Sequence, residues 1–92
     1  MDAVIRKRLC VRGRVQGVCF RAATERQARA LGVAGWVRNR DDGSVEAVFE
    51  GAPERVAAAV AFCHAGPAGA RVDRVESSDE APEGLRDFAV RR

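Results

Sequence analysis

From Val4 to Val15 the chain alternates. Leu9, Val11 and the residues two apart from them share one face, while Arg8, Cys10 and Arg12 share the other, which is the period-two pattern of a half-buried strand. From Phe20 the period changes. Phe20, Ala23, Thr24, Ala28 and Leu31 recur at three and four, with Arg21, Glu25, Arg26 and Arg29 between them, which predicts an amphipathic helix stopped by Gly32. Val33 to Arg38 reads as a second strand around Trp36, and Asp41-Asp42-Gly43 is a hairpin turn into a third, Ser44 to Glu50. There Val45, Ala47 and Phe49 face one way, Glu46 and Glu50 the other. Pro53 suits the first turn of a second helix, whose stripe of Val56, Ala59, Val60 and Cys63 ends at Gly66-Pro67. Ala70 to Glu76 is expected to be a short strand, Ser77 to Gly84 a polar loop, and Leu85 to Val90 a closing strand.

The order strand, helix, strand, strand, helix, strand, terminal strand is that of two strand-helix-strand units joined by a hairpin. It predicts an α+β, ferredoxin-like split βαβ sandwich: an antiparallel sheet of four to five strands with two helices on one face. The pattern leaves open where the terminal strand pairs. A chain of 92 residues has room for one core, so residues 1–92 are expected to form one domain.

Composition narrows the class further. With 47% hydrophobic and 32% charged residues the chain lies in the globular range, outside the disordered and fibrous ones. Its longest apolar run, Val56 to Cys63, is far short of the ~18 residues that a membrane-spanning helix needs. No secretory signal is visible in Met1-Asp2-Ala3-Val4-Ile5-Arg6-Lys7-Arg8, so a cytoplasmic location is expected. Three cysteines, Cys10, Cys19 and Cys63, form no CxxC pair and suit free thiols in a reducing compartment. The net charge of +3 says less than its distribution. Between Ala3 and Thr24 there is no acid, yet Arg6, Lys7, Arg8, Arg12, Arg14 and Arg21 all fall there, which makes this segment the first place to look for a small anion.

Within that segment, Gly13-Arg14-Val15-Gln16-Gly17-Val18-Cys19-Phe20-Arg21 joins the first strand to the first helix. Two glycines four apart open backbone conformations in which consecutive amides turn inward and form a concave anion site. The helix that follows has no Ser, Thr, Asp or Asn at its start, so its free N–H groups could serve a ligand. Arg21, in the first helical turn, could fold back and offer its planar fork to two phosphate oxygens. The same residues also suit a tight strand-to-helix turn with Arg21 in solvent, and Asn39 suits a turn residue beside Asp41-Asp42-Gly43.

Read as whole strings, GRVQGVCFR and then GWVRN at Gly35-Trp36-Val37-Arg38-Asn39 resemble the two signatures of the acylphosphatase family. The likeness continues through DGSVEAVFEG to Phe88 and Val90 and covers nearly the whole chain. Cys19 falls at a variable position of the motif. The resemblance implies a hydrolase that cleaves the carboxyl–phosphate bond of acyl phosphates by in-line water attack. It implies that Arg21 matches the family's phosphate-binding arginine and Asn39 its water-orienting asparagine, with the main-chain amides of Gln16, Gly17, Val18, Cys19 and Phe20 cradling the phosphoryl oxygens. An acyl phosphate expels a weakly basic carboxylate, so such a site can dispense with a general acid; charge neutralisation and a placed water are what it needs. No metal and no cofactor are expected, inorganic phosphate would be product and inhibitor, and the chain would act as a monomer away from nucleic acid and membrane.

Other chemistries fit less well. A Cys-x5-Arg phosphatase motif is absent, since Gln16 stands six after Cys10 and Glu25 six after Cys19. A nucleotide P-loop needs GxxxxGK, yet the only lysine, Lys7, precedes every glycine. His64 is the sole histidine, too few for the usual metal cluster or triad, and is expected to be structural or on the surface. Cys19 is expected to be a bystander, with an oxidation-sensitive switch as its other reading. The alternative in a different class is a non-catalytic ferredoxin-like binding module for RNA or a regulatory ligand. RNA-recognition domains need aromatics on the open sheet face, and few aromatics and no RNP-like string occur here.

Overall fold

The computed structural model describes residues 3–92. The alternating segment forms strand β1 (Ile5–Arg14), and the helical period forms α1 (Phe20–Leu31). Then come β2 (Ala34–Asn39), β3 (Val45–Gly51), α2 (Pro53–Ala65), β4 (Arg71–Glu80) and β5 (Phe88–Arg91). The strands lie in one sheet in the order β4-β1-β3-β2-β5, the α+β, ferredoxin-like arrangement. β1 pairs antiparallel with β3 and β4, and β2 antiparallel with β3. The terminal strand, whose place the sequence left open, pairs parallel to β2, with Phe88 opposite Gly35 and Val90 opposite Val37, so the sheet is mixed, antiparallel but for this one pair.

Sheet alternation decides what is buried. Leu9 and Val11 of β1, Val37 of β2, and Val45, Ala47 and Phe49 of β3 meet Phe20 and Ala28 of α1 and Val56, Ala59 and Cys63 of α2 in one buried cluster. Burying a side chain of Val, Leu or Phe size contributes about 1.5–3 kcal/mol, so this layer holds the helices to the sheet. The Phe49 and Phe88 rings stack with centroids 5.7 Å apart, which ties the short β5 to the core. Burial pushes the Cys63 thiol up to about 12, which removes it from thiolate chemistry. Pro53 occupies the start of α2 as expected, and His64 lies exposed in its last turn.

The opposite face of the sheet is a layer of ion pairs. Arg6, only 3% exposed, donates to Glu50 at 2.6 Å and to Glu80 at 2.8 Å. Arg8 pairs with Glu46 and, at 2.7 Å, with Glu80. Arg12 meets Glu76 at 2.9 Å, while on the helix-covered side of the same strand pair Lys7 meets Asp79 at 2.6 Å. Thus most of the acid-free basic run expected to attract an anion is neutralised by acids from β3 and β4, brought alongside by strand pairing that the linear sequence conceals. Trp36 lies beneath the guanidinium groups of Arg8, Arg38 and Arg91, at 5.5, 5.9 and 4.6 Å from its ring centre.

These pairs also correct the expectation of a loop from Ser77. β4 continues to Glu80, with Ser77, Ser78, Asp79 and Glu80 opposite Leu9, Arg8, Lys7 and Arg6. As an edge strand with little burial on either side it needs no apolar alternation, and its charges discourage pairing with another chain; cross-strand ion pairs hold it instead.

Candidate active site

At one end of the sheet, β1 runs into the loop that opens α1, and β2 and β5 end side by side. Val37 is fully buried under the helices, so Asn39, two residues on, lies on the same, helix-covered face. The loop and the end of β2 therefore converge. Arg21, Asn39, Gly17, Cys19 and Phe20 line a single cavity of about 430 Å³. Val15 and Val90 add apolar wall.

The loop owes its shape to two residues with positive φ, Gly17 at 75° and Cys19 at 62°, flanking Val18. Such alternation of hand turns successive N–H groups toward a common point and makes a concave anion-binding nest. Cys19 is the one described non-glycine residue with positive φ, a conformation that costs an L-residue roughly 1–2 kcal/mol. It is also the N-cap of α1 and supplies no side-chain cap. Among the described residues, the N–H groups of Gln16, Gly17, Val18, Cys19 and Phe20 donate to no main-chain carbonyl in the loops, turns or caps. Gly17, Cys19 and Phe20 of this loop, at the N-terminus of α1, thus border one cavity with Arg21, whereas Gln16 and Val18 are not among its lining residues; a helix N-terminus beside an arginine is a combination suited to a phosphoryl group.

The two glycines of the loop motif do different work. Gly17 has open space where a Cβ would stand, so its φ of +75° is its constraint. Gly13 lies inside β1 at a register shift between Arg12 and Gly13, and a Cβ there would sit 2.2 Å from the carbonyl oxygen of Arg71. The first glycine therefore permits close pairing of β1 with β4 and takes no part in the nest.

Arg21 is half-buried, and its Nη1 donates to the carbonyl oxygen of Arg91 at 3.3 Å. The parallel placement of β5 thus supplies a contact for the guanidinium. Val18 packs inward against the core and does not line the cavity. The Gln16 side chain is turned away from the nest: its Nε2 donates to the carbonyl oxygens of Arg40 at 2.7 Å and Ser44 at 2.9 Å. Glu25, which sequence reasoning did not place in the site, lines the cavity one turn beyond Arg21 and pairs with Arg29 at 3.2 Å. Its spacing of four from Arg21 was the available signal. Among the described residues no group of three or more His, Cys, Asp or Glu side chains is arranged to hold a metal ion, and no helix is long and apolar enough to cross a membrane.

The family model described as Acylphosphatase matches residues 7–90. The chain is 58% identical over 86 residues to an acylphosphatase of Thermococcus kodakarensis, covering 94% of each chain. It is 51% identical over 92 residues to one of Natronomonas pharaonis, covering all of both. The crystal structure of acylphosphatase from Bacillus subtilis superposes with a TM-score of 0.92 at 34% identity, over 96% of this chain and 99% of that one. The sequence, the fold and the cavity lined by both motifs agree: this chain belongs to the acylphosphatase family of enzymes.

Proposed function

We propose that the chain hydrolyses acyl phosphates by in-line attack of water on phosphorus. The P–O bond to the carboxylate breaks as the bond from water oxygen to phosphorus forms. A dianionic acyl phosphate and water give a carboxylate and dihydrogen phosphate, which retains both water protons. The carboxylate leaves as a weak base, so the step does not require a general acid. Charge spread over the equatorial oxygens of the transition state is met by the amides of Gln16, Gly17, Val18, Cys19 and Phe20 and by the fork of Arg21. Asn39, with an acceptor oxygen and a donor NH2 on one planar group, orients the water.

The observation that carries this reading is that Arg21, Asn39 and the loop with positive φ at residues 17 and 19 share one cavity. The RNA-binding alternative has less support. Trp36, the aromatic on the open face, is only 8% exposed and lies under arginines, whereas base stacking needs a free aromatic face. Inorganic phosphate, which the same donors would hold, is expected to inhibit competitively. Assay of the purified chain on an aryl acyl phosphate, with and without a chelator, tests the reading: turnover unaffected by chelator supports it. Absence of turnover would refute it.

A further inference from the structure

We infer that the Gln16 side chain is a positioning residue that fixes the distance between the phosphate-holding loop and the water-holding end of β2, acting through Asn39. The inference rests on the roles proposed above for the loop amides and Asn39. In the sheet, β3 lies between β1 and β2, so the loop leaving β1 and the residue ending β2 are not on neighbouring strands. Gln16 spans that gap. Its single NH2 donates to Arg40 O at 2.7 Å and Ser44 O at 2.9 Å, which uses both of its N–H hydrogens.

Those two carbonyls are the posts of the β2–β3 turn. Arg40 N–H donates to Ser44 O at 2.8 Å, and Gly43 N–H to Arg40 O at 3.1 Å. Asp42 braces the turn separately, accepting from Ser44 N–H at 3.0 Å and Ser44 Oγ at 2.6 Å. The turn therefore keeps its form without Gln16. What Gln16 adds is a link from the nest to the residue that follows Asn39.

Two variants remove the donors while keeping the length of the side chain: Gln16→Met, and Gln16→Glu, whose carboxylate would face two carbonyls. A misplacement of about 1 Å can cost about 10²-fold in rate, so a loosened link is expected to lower kcat about tenfold. KM and inhibition by inorganic phosphate are expected to change less than about twofold, because the nest and Arg21 remain intact. Circular dichroism confirms that each variant is folded. The decisive comparison is a double-mutant cycle. In an Asn39→Ala background, Gln16→Met is expected to lose less than about twofold more. A further tenfold loss there, or unchanged kcat in the folded single variants, overturns the inference and leaves the role of Asn39 standing. Full activity of Asn39→Ala alone overturns the role of Asn39, and this inference with it.

Discussion

The guanidinium of Arg21 and the main-chain carbonyl of Arg91 meet at 3.3 Å across 70 residues of sequence. The first turn of α1 is thereby joined to the end of β5, and the proposed phosphate-binding side chain is aimed by a strand at the edge of the sheet. A lysine carries its three donors on one nitrogen and has no planar fork, so it cannot hold the Arg91 carbonyl and two phosphate oxygens from separate nitrogens as a guanidinium can. Arg21→Lys is expected to lower kcat/KM by roughly 10²-fold or more, the scale of removing one preorganised donor, and to weaken inhibition by inorganic phosphate in parallel. Steady-state kinetics with phosphate as competitor checks both; inhibition retained at the original strength would count against the role.

Cys19 offers a test of the loop backbone, since the role proposed for it belongs to its main-chain amide and not to its side chain. At φ 62° and ψ 26° it occupies the left-handed region, which Asn tolerates and β-branched residues do not. Cys19→Asn is expected to keep both kcat and thermal stability. Cys19→Val, which adds β-branching where Cys already carries the left-handed cost, is expected to lower the unfolding temperature and to lower turnover by distorting the nest. Thermal unfolding and an activity assay of the two variants read the difference.

Acid is expected to loosen the open face first. Arg8 and Arg6 hold the Glu80 carboxyl down to about 2. Burial alone would raise Glu50, but the Glu83 N–H, the Arg6 guanidinium and the Leu85 N–H outweigh it and keep it below the usual carboxylate range. For Glu46, too, burial is outweighed, by Arg38 and Arg8. Carboxyls lowered in the folded state bind more protons when unfolded, so stability falls as pH falls. Their contribution is whole above the unfolded value of about 4.3 and lost as pH drops toward 2. Urea unfolding between pH 7 and pH 2 is expected to show this decline, and Glu50→Gln to flatten it. A pH-independent midpoint would contradict the ion-pair account.

Much of this was legible in the sequence because burial there is one-sided. α1 begins at Phe20 and ends at Leu31 as its periodicity requires, and β1 differs from its expected span only at the ends. Where burial stops deciding, the pattern goes silent. Ser77 to Glu80 is strand because β1 pairs with it, and the linear sequence carries no sign of that pairing. For the same reason, nothing in the acid-free segment from Ala3 to Thr24 signals that Arg6, Lys7, Arg8 and Arg12 are paired with acids of distant strands. In the site, Arg21 and Asn39 were found through motif strings, whereas the contacts of Gln16 were hidden because its partners are main-chain carbonyls. Such partners leave no residue type to read.

The claim on which the account turns is that main-chain amides of the loop and Arg21 together hold the phosphoryl group. Titration of ¹⁵N-labelled protein with inorganic phosphate tests it residue by residue. The account predicts saturable shifts of the Gln16, Gly17, Val18, Cys19 and Phe20 amides and of the Arg21 Nε–H. A competing anion site would be the smaller cavity of about 270 Å³ beside Arg8, Arg12 and Arg40 on the open face. Shifts confined to that face, with the loop amides unmoved, would contradict the account.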